Sequence, residues 1–301
     1  MNLSGKLITL VGGTGFVGSR LAPALARVGA TVRLASRHPP AGQEFEHAVC
    51  DLGSGAGLDA ALEGADAVYF LAHSMAEGPG FGEREQVAAK NFAGAARRSG
   101  VHRVVYLGGL YPDEEALSDH LASRRQVGLA LIESVGALAV RAGIVVGAGS
   151  ASFDILAGLS RRLPIMIAPR WLASRCQPIG IADAVEALGG AFGVEGAREV
   201  DLAGPEVLSY RRMLEITAAE LTGREPVMVA VPVLSPELSA HWLRFVTRAN
   251  MEVARSLVGS LRHDLVAARP LLTAELGLTP AAFRAVVREA VAEQRAGSSQ
   301  R

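Results

Sequence analysis

The sequence predicts an α/β fold in which a doubly wound parallel sheet is followed by a smaller, mostly helical C-terminal region. Three observations support this prediction. Short apolar runs alternate with longer helical patterns through the first half of the chain, the first run leads directly into a glycine-rich turn, and 50% of the 301 residues are hydrophobic. Strands that alternate with helices form parallel sheets with right-handed crossovers, so that helices cover both faces of the sheet.

The predicted strands of the first half are short and apolar, as expected for strands that are buried on both faces. They span residues 7–11, 31–36, 46–51, 67–72, 103–108 and 137–141. The helices between them are predicted at residues 21–26, 58–62, 83–99 and 117–134. Because ligands of such sheets bind at the carboxyl ends of the strands, we look for functional residues where each strand ends.

The second half of the chain is less regular and predicts a separate region. Residues 143–149 and 164–178 have the composition of loops, and residues 199–205 form a late strand and turn. From residue 210 the pattern is mostly helical, with a proline-rich break over residues 227–236. We therefore divide the chain into an N-terminal α/β domain and a C-terminal region, interpreted as a substrate or cap region, that is partly interleaved with it. The divisions are residues 1–150, residues 151–295 and a flexible tail at 296–301.

Charge and composition argue against several classes of protein. The 30 basic and 30 acidic residues are interspersed and give a formal net charge of zero, without the basic stripe that nucleic-acid binding needs. No apolar run reaches the ~18 residues of a membrane span, and the N-terminal run ends in glycines rather than in a cleavage motif. Cys50 and Cys176 share no motif with histidine, so we expect no metal site. We expect a cytoplasmic protein, and a homo-oligomer or a protein partner stays open.

The glycine-rich turn predicts a dinucleotide site. Gly12, Gly15 and Gly18 have the spacing Gly-x-x-Gly-x-x-Gly between a predicted strand and a predicted helix. Glycines allow the backbone to approach a pyrophosphate, and the N-terminus of the helix offers free N–H groups and the positive end of its dipole. An ordinary tight turn between strand and helix is the alternative. The turn residues that we assign to the cofactor are Gly12, Thr14, Gly15, Phe16, Val17 and Gly18.

The residues after the second strand favour NADP(H) over NAD(H). Ser36 ends this strand and Arg37 follows it. NAD-preferring sites have an acidic residue here that binds the ribose 2′-hydroxyl, whereas arginine binds a 2′-phosphate through bidentate hydrogen bonds. Residues 34–40 contain no acidic side chain. A solvated loop arginine is the alternative, and NAD(H) stays the second cofactor candidate.

The remaining cofactor candidates follow the third and fourth strands or lie on the third helix. They are Asp51, Leu52, Ala72, His73, Ser74 and Asn91. The carboxylate of Asp51 is placed to accept a hydrogen bond from the adenine amino group, although aspartates are equally common in turns. His73 lies on the expected cofactor path or is an ordinary loop histidine. Asn91 is an unfavourable residue within a helix unless its amide has a partner.

These residues resemble the short-chain dehydrogenase/reductase superfamily, and more narrowly its atypical extended branch. That branch includes the NmrA-like redox sensors and the nucleotide-binding accessory subunit of respiratory complex I. The resemblance covers roughly residues 6–215, and its matching stretches are residues 12–18, 51–52, 72–74, 91, 104–109, 141–147, 177–179, 183 and 203–206. It implies a Rossmann-like fold, an NAD(P) cofactor and oxidoreductase chemistry.

The sequence departs from this superfamily at the catalytic pair. In active members a tyrosine donates a proton, a lysine four residues later lowers its pKa and holds the nicotinamide ribose, and an upstream serine orients the substrate. None of the four tyrosines of this chain has a lysine four residues later. By helix position, His120 and Arg124 occupy the places of the tyrosine and the lysine, and Gly108 and Gly109 occupy the place of the serine.

Two hypotheses follow from this departure. In the first, the protein reduces a small carbonyl or conjugated substrate, with His120 as the proton donor and Arg124 holding the ribose. Histidine titrates near neutral pH, although an adjacent arginine lowers its pKa. In the second, both side chains are remnants, and the protein senses or carries NADP(H) or docks to a partner. A nucleotide-sugar epimerase or dehydratase is a weaker third hypothesis, since that chemistry also depends on the missing tyrosine.

A group of arginines in the second half is a candidate for binding an anionic substrate. It comprises Arg161, Arg162, Arg170 and Arg175, with Trp171 nearby. A solvated loop in an arginine-rich sequence is the alternative interpretation.

Overall fold

Seven parallel strands form the central sheet of the structure, a computed structural model that describes residues 2–39, 42, 44–72, 80–113, 117–162, 165–231 and 263–298. The strands of the molecule are numbered in chain order. They are β1 (Leu7–Val11), β2 (Thr31–Ser36), β3 (Glu46–Val49), β4 (Ala67–Phe70), β5 (Val104–Gly109), β6 (Leu138–Ala142), β7 (Val145–Val146), β8 (Ile165–Pro169), β9 (Arg175–Cys176), β10 (Ile179–Gly180), β11 (Arg198–Leu202), β12 (Leu208–Ser209) and β13 (Val227–Val231).

The order of the central sheet is β3-β2-β1-β4-β5-β6-β11, and all neighbouring pairs in it are parallel. The direction in which the chain adds strands reverses between β1 and β4. At such a switch point the loops after the two strands diverge and leave a crevice for a ligand. The Rossmann-like α/β fold predicted from the sequence is confirmed.

Helices cover both faces of this sheet. They are α1 (Gly18–Arg27), α2 (Leu58–Leu62), α3 (Phe81–Arg98), α4 (Asp119–Val135), α5 (Ala151–Arg162), α6 (Ile181–Gly190), α7 (Tyr210–Thr222), α8 (Leu272–Glu275) and α9 (Phe283–Ser298). On one face, Leu21 and Leu25 of α1 share an apolar core with Leu188 of α6. On the other face, α2, α3 and α4 form a second core that includes Phe92 and Leu131. The strands between the two cores are therefore apolar on both sides.

Helix α4, which carries both predicted catalytic residues, has defined ends. Ser118 is its N-cap, and the Ser118 Oγ accepts a hydrogen bond from the N–H of Leu121 at 3.4 Å. Gly136 ends the helix with a φ of 64°, a left-handed conformation that glycine adopts without the steric cost of a Cβ. The caps fix the register of the helix, and thereby the face that it presents to α3 and the sheet.

The C-terminal region forms its own apolar core. Helices α5, α7 and α9 contribute Phe153, Met213 and Val287, which are fully buried together. Strand β11, in contrast, pairs with β6 and extends the central sheet. Residues after 150 thus contribute both to the helical region and to the main sheet.

Several elements of the second half differ from the sequence prediction. Residues 165–169 and 227–231, predicted as part of a loop and of a break, form the parallel pair β8 and β13. Helices α5 and α6 are absent from the prediction. Helix α9 continues to Ser298, so residues 296–298 are helical rather than part of a flexible tail, and residues 299–301 lie outside the described part of the chain. The predicted loops were identified from their prolines and glycines, which here flank short strands instead of replacing them.

A buried ion pair joins the last two strands of the central sheet to the C-terminal region. The guanidinium of Arg141 on β6 binds the carboxylate of Asp201 on β11 through two bonds of 2.6 and 2.9 Å, and both side chains are buried. The same carboxylate accepts hydrogen bonds from the backbone N–H groups of Ala268 and Arg269. The ion pair therefore holds the segment that begins at residue 263 against the end of the sheet. None of the helices in the described ranges is long and apolar enough to cross a membrane.

Candidate functional site

A cavity of about 1190 Å³ opens at the carboxyl ends of the central strands, on both sides of the switch point. Most residues that the sequence assigned to the cofactor line it. These are Gly12, Thr14, Gly15, Phe16, Val17, Gly18, Ser36, Arg37, Asp51, Leu52 and Ala72. His120 and Arg124 line the same cavity. His73 and Ser74 lie outside the described residues.

Two glycines of the turn are required by close backbone packing. Gly12 has a φ of +81°, and a Cβ at this position would lie 2.7 Å from the backbone nitrogen of Ala72, at the end of β4. A Cβ on Gly18, the first residue of α1, would lie 2.5 Å from the Cα of Gly13. Since no Cβ tolerates such contacts, these glycines let the turn pack against β4 and let α1 start directly behind it.

Gly15 has a different environment from the other two glycines. A Cβ on Gly15 would meet only the carbonyl oxygen of Gly12, at 3.3 Å, and the residue lines the cavity. The next two residues, Phe16 and Val17, precede α1, and no acceptor in the described chain binds their backbone N–H groups. The turn thus offers the open backbone and free N–H groups that an anionic phosphate requires.

The ends of β2 and β3 form the neighbouring wall of the cavity. The Ser36 hydroxyl donates a hydrogen bond to the carbonyl oxygen of His38 and lies 2.8 Å from the Nε2 of His47, while the exposed Arg37 lines the cavity next to it. The Oδ1 of Asp51 accepts a hydrogen bond from the N–H of Gly53 at 2.7 Å. The turn role considered for Asp51 is therefore present in the structure, and its contact with adenine stays a prediction.

Asn91 supports the cofactor wall without lining it. Its amide donates hydrogen bonds of 2.9 and 3.0 Å to the carbonyl oxygens of Leu52 and Gly53, and the residue is not among those that line the cavity. The sequence analysis expected that this amide needs a partner and placed the residue at the cofactor. The amide has its partners in the loop after β3 and holds that loop in place, and a contact of Asn91 with the cofactor stays a prediction.

A buried polar cluster lies where α3, α4 and β5 meet at the cavity. The Nη2 atom of Arg124 lies 3.1 Å from the Oε1 atom of Glu85, and the two side chains are only 5% and 6% exposed, respectively. The hydroxyl of Ser123 donates a hydrogen bond of 2.8 Å to the second carboxylate oxygen of Glu85. Tyr106 of β5 and His120 of α4 complete the cluster, which we call the α3–α4 cluster. Burial raises the pKa of Tyr106, and the nearby Arg124 only partly opposes this shift.

Burial and charge determine the protonation state of His120. Removal from water, followed by the positive charge of Arg124, lowers the pKa of His120 to about 4, and the carboxylate of Glu85 offsets this only in part. The imidazole is therefore neutral at pH 7. The sequence predicts that the adjacent arginine lowers this pKa, and the structure agrees in direction and adds burial as the larger cause. A neutral imidazole nevertheless carries one N–H group that can donate a hydrogen bond.

Sequence reasoning missed Glu85 and Tyr106 as members of this site. Glu85 lies on a different helix from Arg124, and no local spacing connects the two residues. Tyr106 was considered only as the start of a Tyr-x-x-x-Lys pair, and its place on a strand next to α4 follows from the fold.

Two of the four arginines that were considered for an anionic pocket have described side chains, and both have partners away from the cavity. Arg161 donates a hydrogen bond to Gln294, and Arg175 forms an exposed ion pair of 2.9 Å with Asp264. Neither arginine lines the cavity. The side chains of residues 162–171, which include the rest of this group, lie outside the described residues.

Comparisons with known proteins support the nucleotide-binding assignment. Residues 12–137 match a protein-family model described as NAD(P)H-binding. Similar solved structures include an epimerase from Methanothermobacter thermautotrophicus, with 15% identity, 99% of this chain and 94% of that chain covered, and a TM-score of 0.76. MoeE5, solved with UDP-glucose and NAD, has 18% identity, coverage of 98% and 100%, and a TM-score of 0.73.

A third similar structure is the UDP-glucose 4-epimerase of Thermotoga maritima, with 14% identity, coverage of 97% and 99%, and a TM-score of 0.71. No curated protein matches the sequence. At these identities the structural similarity establishes the fold, and the family model establishes the NAD(P)H-binding domain. The Rossmann-like fold and the NAD(P)H-binding region that the resemblance implied are confirmed at this level.

Replacing Gly15 with alanine is expected to weaken NADPH binding at least tenfold and to leave the protein folded. The added methyl group contacts only one carbonyl oxygen of the turn and occupies the space open to a phosphate. Calorimetric titration with NADPH, together with thermal unfolding, tests this expectation. Gly18→Ala is the matched control, because its methyl group would collide with Gly13 and should lower the unfolding temperature. Unchanged NADPH affinity in Gly15→Ala would show that the phosphate does not bind at this turn.

The His120 imidazole is expected to stay neutral between pH 8 and pH 5.5 and to titrate near pH 4. Its pKa is depressed from the unfolded value of about 6.5, so only the unfolded state gains this proton as the pH falls from 6.5 toward 4. Over that range the wild type should therefore lose more unfolding free energy than His120→Gln. NMR of the imidazole protons and urea unfolding at several pH values measure both effects. An imidazole that titrates near pH 6.5 would refute the burial argument.

Proposed function

We propose that this protein is an NAD(P)H-dependent oxidoreductase that prefers NADP(H) and reduces a small carbonyl or conjugated substrate. One observation carries the proposal: a single cavity connects the glycine turn to the buried α3–α4 cluster. Its volume of about 1190 Å³ exceeds the roughly 300–1,000 Å³ of sites for one drug-sized ligand, which is consistent with a dinucleotide and a second molecule side by side.

The cofactor side of the proposal assigns a role to each wall of the cavity. The N–H groups of Phe16 and Val17 bind the pyrophosphate, Arg37 binds the 2′-phosphate, and Asp51 accepts a hydrogen bond from adenine. Arginine suits this role because its planar guanidinium forms paired hydrogen bonds with phosphate oxygens. When bound, NADPH supplies the hydride, and the protein supplies binding, orientation and electrostatics.

The substrate side of the proposal rests on the α3–α4 cluster. The neutral imidazole of His120 donates a hydrogen bond to the substrate oxygen, and does not act as a stored acid. The charge of Arg124, held in place by Glu85, stabilises the negative charge that develops on this oxygen. Neutral histidines polarise carbonyl groups in this way in other enzymes. The product oxygen then takes its proton from water, so the site needs no tyrosine and lysine pair.

A non-catalytic NADP(H) sensor or accessory protein is the second candidate function. It is favoured by the ion pair of the α3–α4 cluster, since the charge of Arg124 is already compensated by Glu85 and His120 is neutral. Under this alternative the dinucleotide binds without turnover, and its effect is on a homo-oligomer or a protein partner. Epimerase activity is not proposed, because the chain lacks a tyrosine followed four residues later by lysine.

Replacing Arg37 with alanine is expected to weaken NADPH binding at least tenfold and to change NADH binding less than twofold. The reason is that only NADPH carries the 2′-phosphate that the guanidinium binds. Calorimetric titration with both dinucleotides measures this difference. Arg27→Ala serves as the control, since Arg27 lies on the surface of α1 at its last turn. Equal losses for NADH and NADPH would refute the proposed preference for NADP(H).

Replacing His120 with alanine is expected to lower kcat at least a hundredfold and to leave NADPH affinity within twofold of wild type. The loss follows from removal of the hydrogen bond to the reacting oxygen. NADPH oxidation with a panel of aldehydes, ketones, enones and quinones, with calorimetry as the binding control, measures both values. Tight NADPH binding by the wild type without turnover of any panel member would favour the sensor over the enzyme.

A further inference from the structure

The part of the cavity formed by the C-terminal region is apolar, and its residues restrict the class of substrate. We call this part the distal pocket. It is lined by side chains of α5, of the 3₁₀ helix Arg170–Ala173 and of α7, principally Ile155, Leu156, Leu159, Leu172, Met213 and Leu214. We propose that the distal pocket binds the hydrocarbon part of an uncharged substrate, a ketone or enone that carries an alkyl or aryl group. This inference rests on the proposed function and specifies its substrate class.

The distal pocket has few polar groups and no charged ones among the described side chains. Within residues 146–231 and 263–298, no described Asp, Glu, Lys, Arg or His lines the cavity. The polar members are the hydroxyls of Ser150, Ser152 and Tyr210. The Oγ of Ser150 already accepts a hydrogen bond from the N–H of Phe153 at the start of α5. The charged residues that line the cavity belong instead to the nucleotide walls, to the α3–α4 cluster and to the first turn of α3, which contributes Glu83 and Arg84.

Charged side chains that α5 and α7 carry in the described part of the chain are engaged on the surface of the C-terminal region. Arg211 and Arg212 pair with Glu215 on the outer side of α7, at 2.9 and 3.0 Å. Asp154 of α5 accepts a hydrogen bond from Gln294 of α9. Each of these groups points away from the cavity that α5 and α7 line with leucine, isoleucine and methionine.

This arrangement separates the protein from its structural neighbours that bind sugar nucleotides. UDP-glucose, which is bound in MoeE5, carries a diphosphate and a sugar rich in hydroxyl groups. Among the described side chains of the distal pocket, no basic group would compensate a diphosphate for its lost hydration, and burial without such compensation is strongly unfavourable. An alkyl or aryl group, in contrast, gains free energy when the same leucine side chains remove it from water.

The walls of the distal pocket are preformed. Leu156, Leu172 and Met213 are 7%, 5% and 0% exposed, and they belong to the apolar core shared by α5, α7 and α9. Their positions are fixed by the packing of these helices. The unbranched methionine side chain adapts to ligands of different shape. We therefore expect the pocket to discriminate between substrates by their chain length and polarity more than by their exact shape.

Binding of a neutral fluorescent probe tests the proposal without requiring turnover. The protein saturated with NADPH is titrated with N-phenyl-1-naphthylamine, and the bound probe is then displaced by methyl ketones from butanone to decan-2-one. The probe is expected to bind, and each added methylene is expected to strengthen displacement about threefold to fourfold until the pocket is filled. UDP-glucose is expected neither to displace the probe nor to bind in a calorimetric titration.

Two matched variants connect this binding to the distal pocket. Leu156→Asn makes its wall polar and should weaken probe binding at least tenfold. Ile216→Asn places the same polar group in the same core, but Ile216 does not line the cavity, so probe binding should stay within twofold of wild type. If the polar variants fail to fold, Leu156→Ala is the milder replacement. It enlarges the pocket, so the ketone that displaces the probe most strongly should have a longer chain than for the wild type. NADPH affinity within twofold of wild type confirms that each variant keeps its nucleotide site.

The outcomes separate this inference from the proposed function. The inference is overturned if UDP-glucose displaces the probe, if ketone length has no effect, or if Leu156→Asn and Ile216→Asn behave alike. If the probe and the ketones bind as expected but no ketone or enone oxidises NADPH, the oxidoreductase proposal is overturned and the apolar pocket stands. If the protein does not bind NADPH, the proposed function fails whatever the probe does.

Discussion

The site depends on one close backbone contact, between the glycine turn after β1 and the end of β4. Gly12 has a left-handed φ and leaves no room for a Cβ beside the backbone of Ala72, and Gly18 packs equally closely on Gly13. These contacts fix the start of α1 at the point where the strand order reverses. The free N–H groups of the turn and the cavity beside them both follow from that position. A side chain at either glycine would move α1 away from the sheet and change the shape of the cavity.

Burial determines the charge states, and therefore the possible chemistry, of the α3–α4 cluster at the end of the cavity opposite the glycine turn. Arg124 and Glu85 are buried as a pair, which compensates both charges, and the same burial keeps His120 neutral. A site of this kind is suited to stabilising negative charge on an oxygen and to donating hydrogen bonds, and it is not suited to storing a proton at neutral pH. The missing tyrosine and lysine therefore bear on how the proposed reduction is assisted, and do not by themselves decide between the enzyme and the sensor.

Much of the fold could be predicted from the sequence, because it is encoded by local patterns. The bounds of β1, β2 and α2 agree with the prediction, since each is a short apolar run between clear turn residues. The pairing of β8 with β13 was not predictable in this way, because it joins segments that are far apart in the chain and flanked by prolines.

The candidate site was predicted in part for the same reason. The turn after β1 has a local spacing that identifies it, whereas the pair of Glu85 and Arg124 depends on how α3 packs against α4. Leu156 and Leu159 have the spacing of ordinary core residues, so the sequence does not indicate that they also line a cavity. Burial, which lowers the pKa of His120, likewise becomes visible only when the fold is known.

A crystal structure of the protein grown with NADPH tests whether one cavity holds the dinucleotide between the glycine turn and the α3–α4 cluster. We expect pyrophosphate oxygens within hydrogen-bond distance of the N–H groups of Phe16 and Val17, and the 2′-phosphate beside Arg37. We also expect the nicotinamide ring next to His120. NADPH bound elsewhere, or bound here with its nicotinamide directed away from His120, would refute this placement of the dinucleotide.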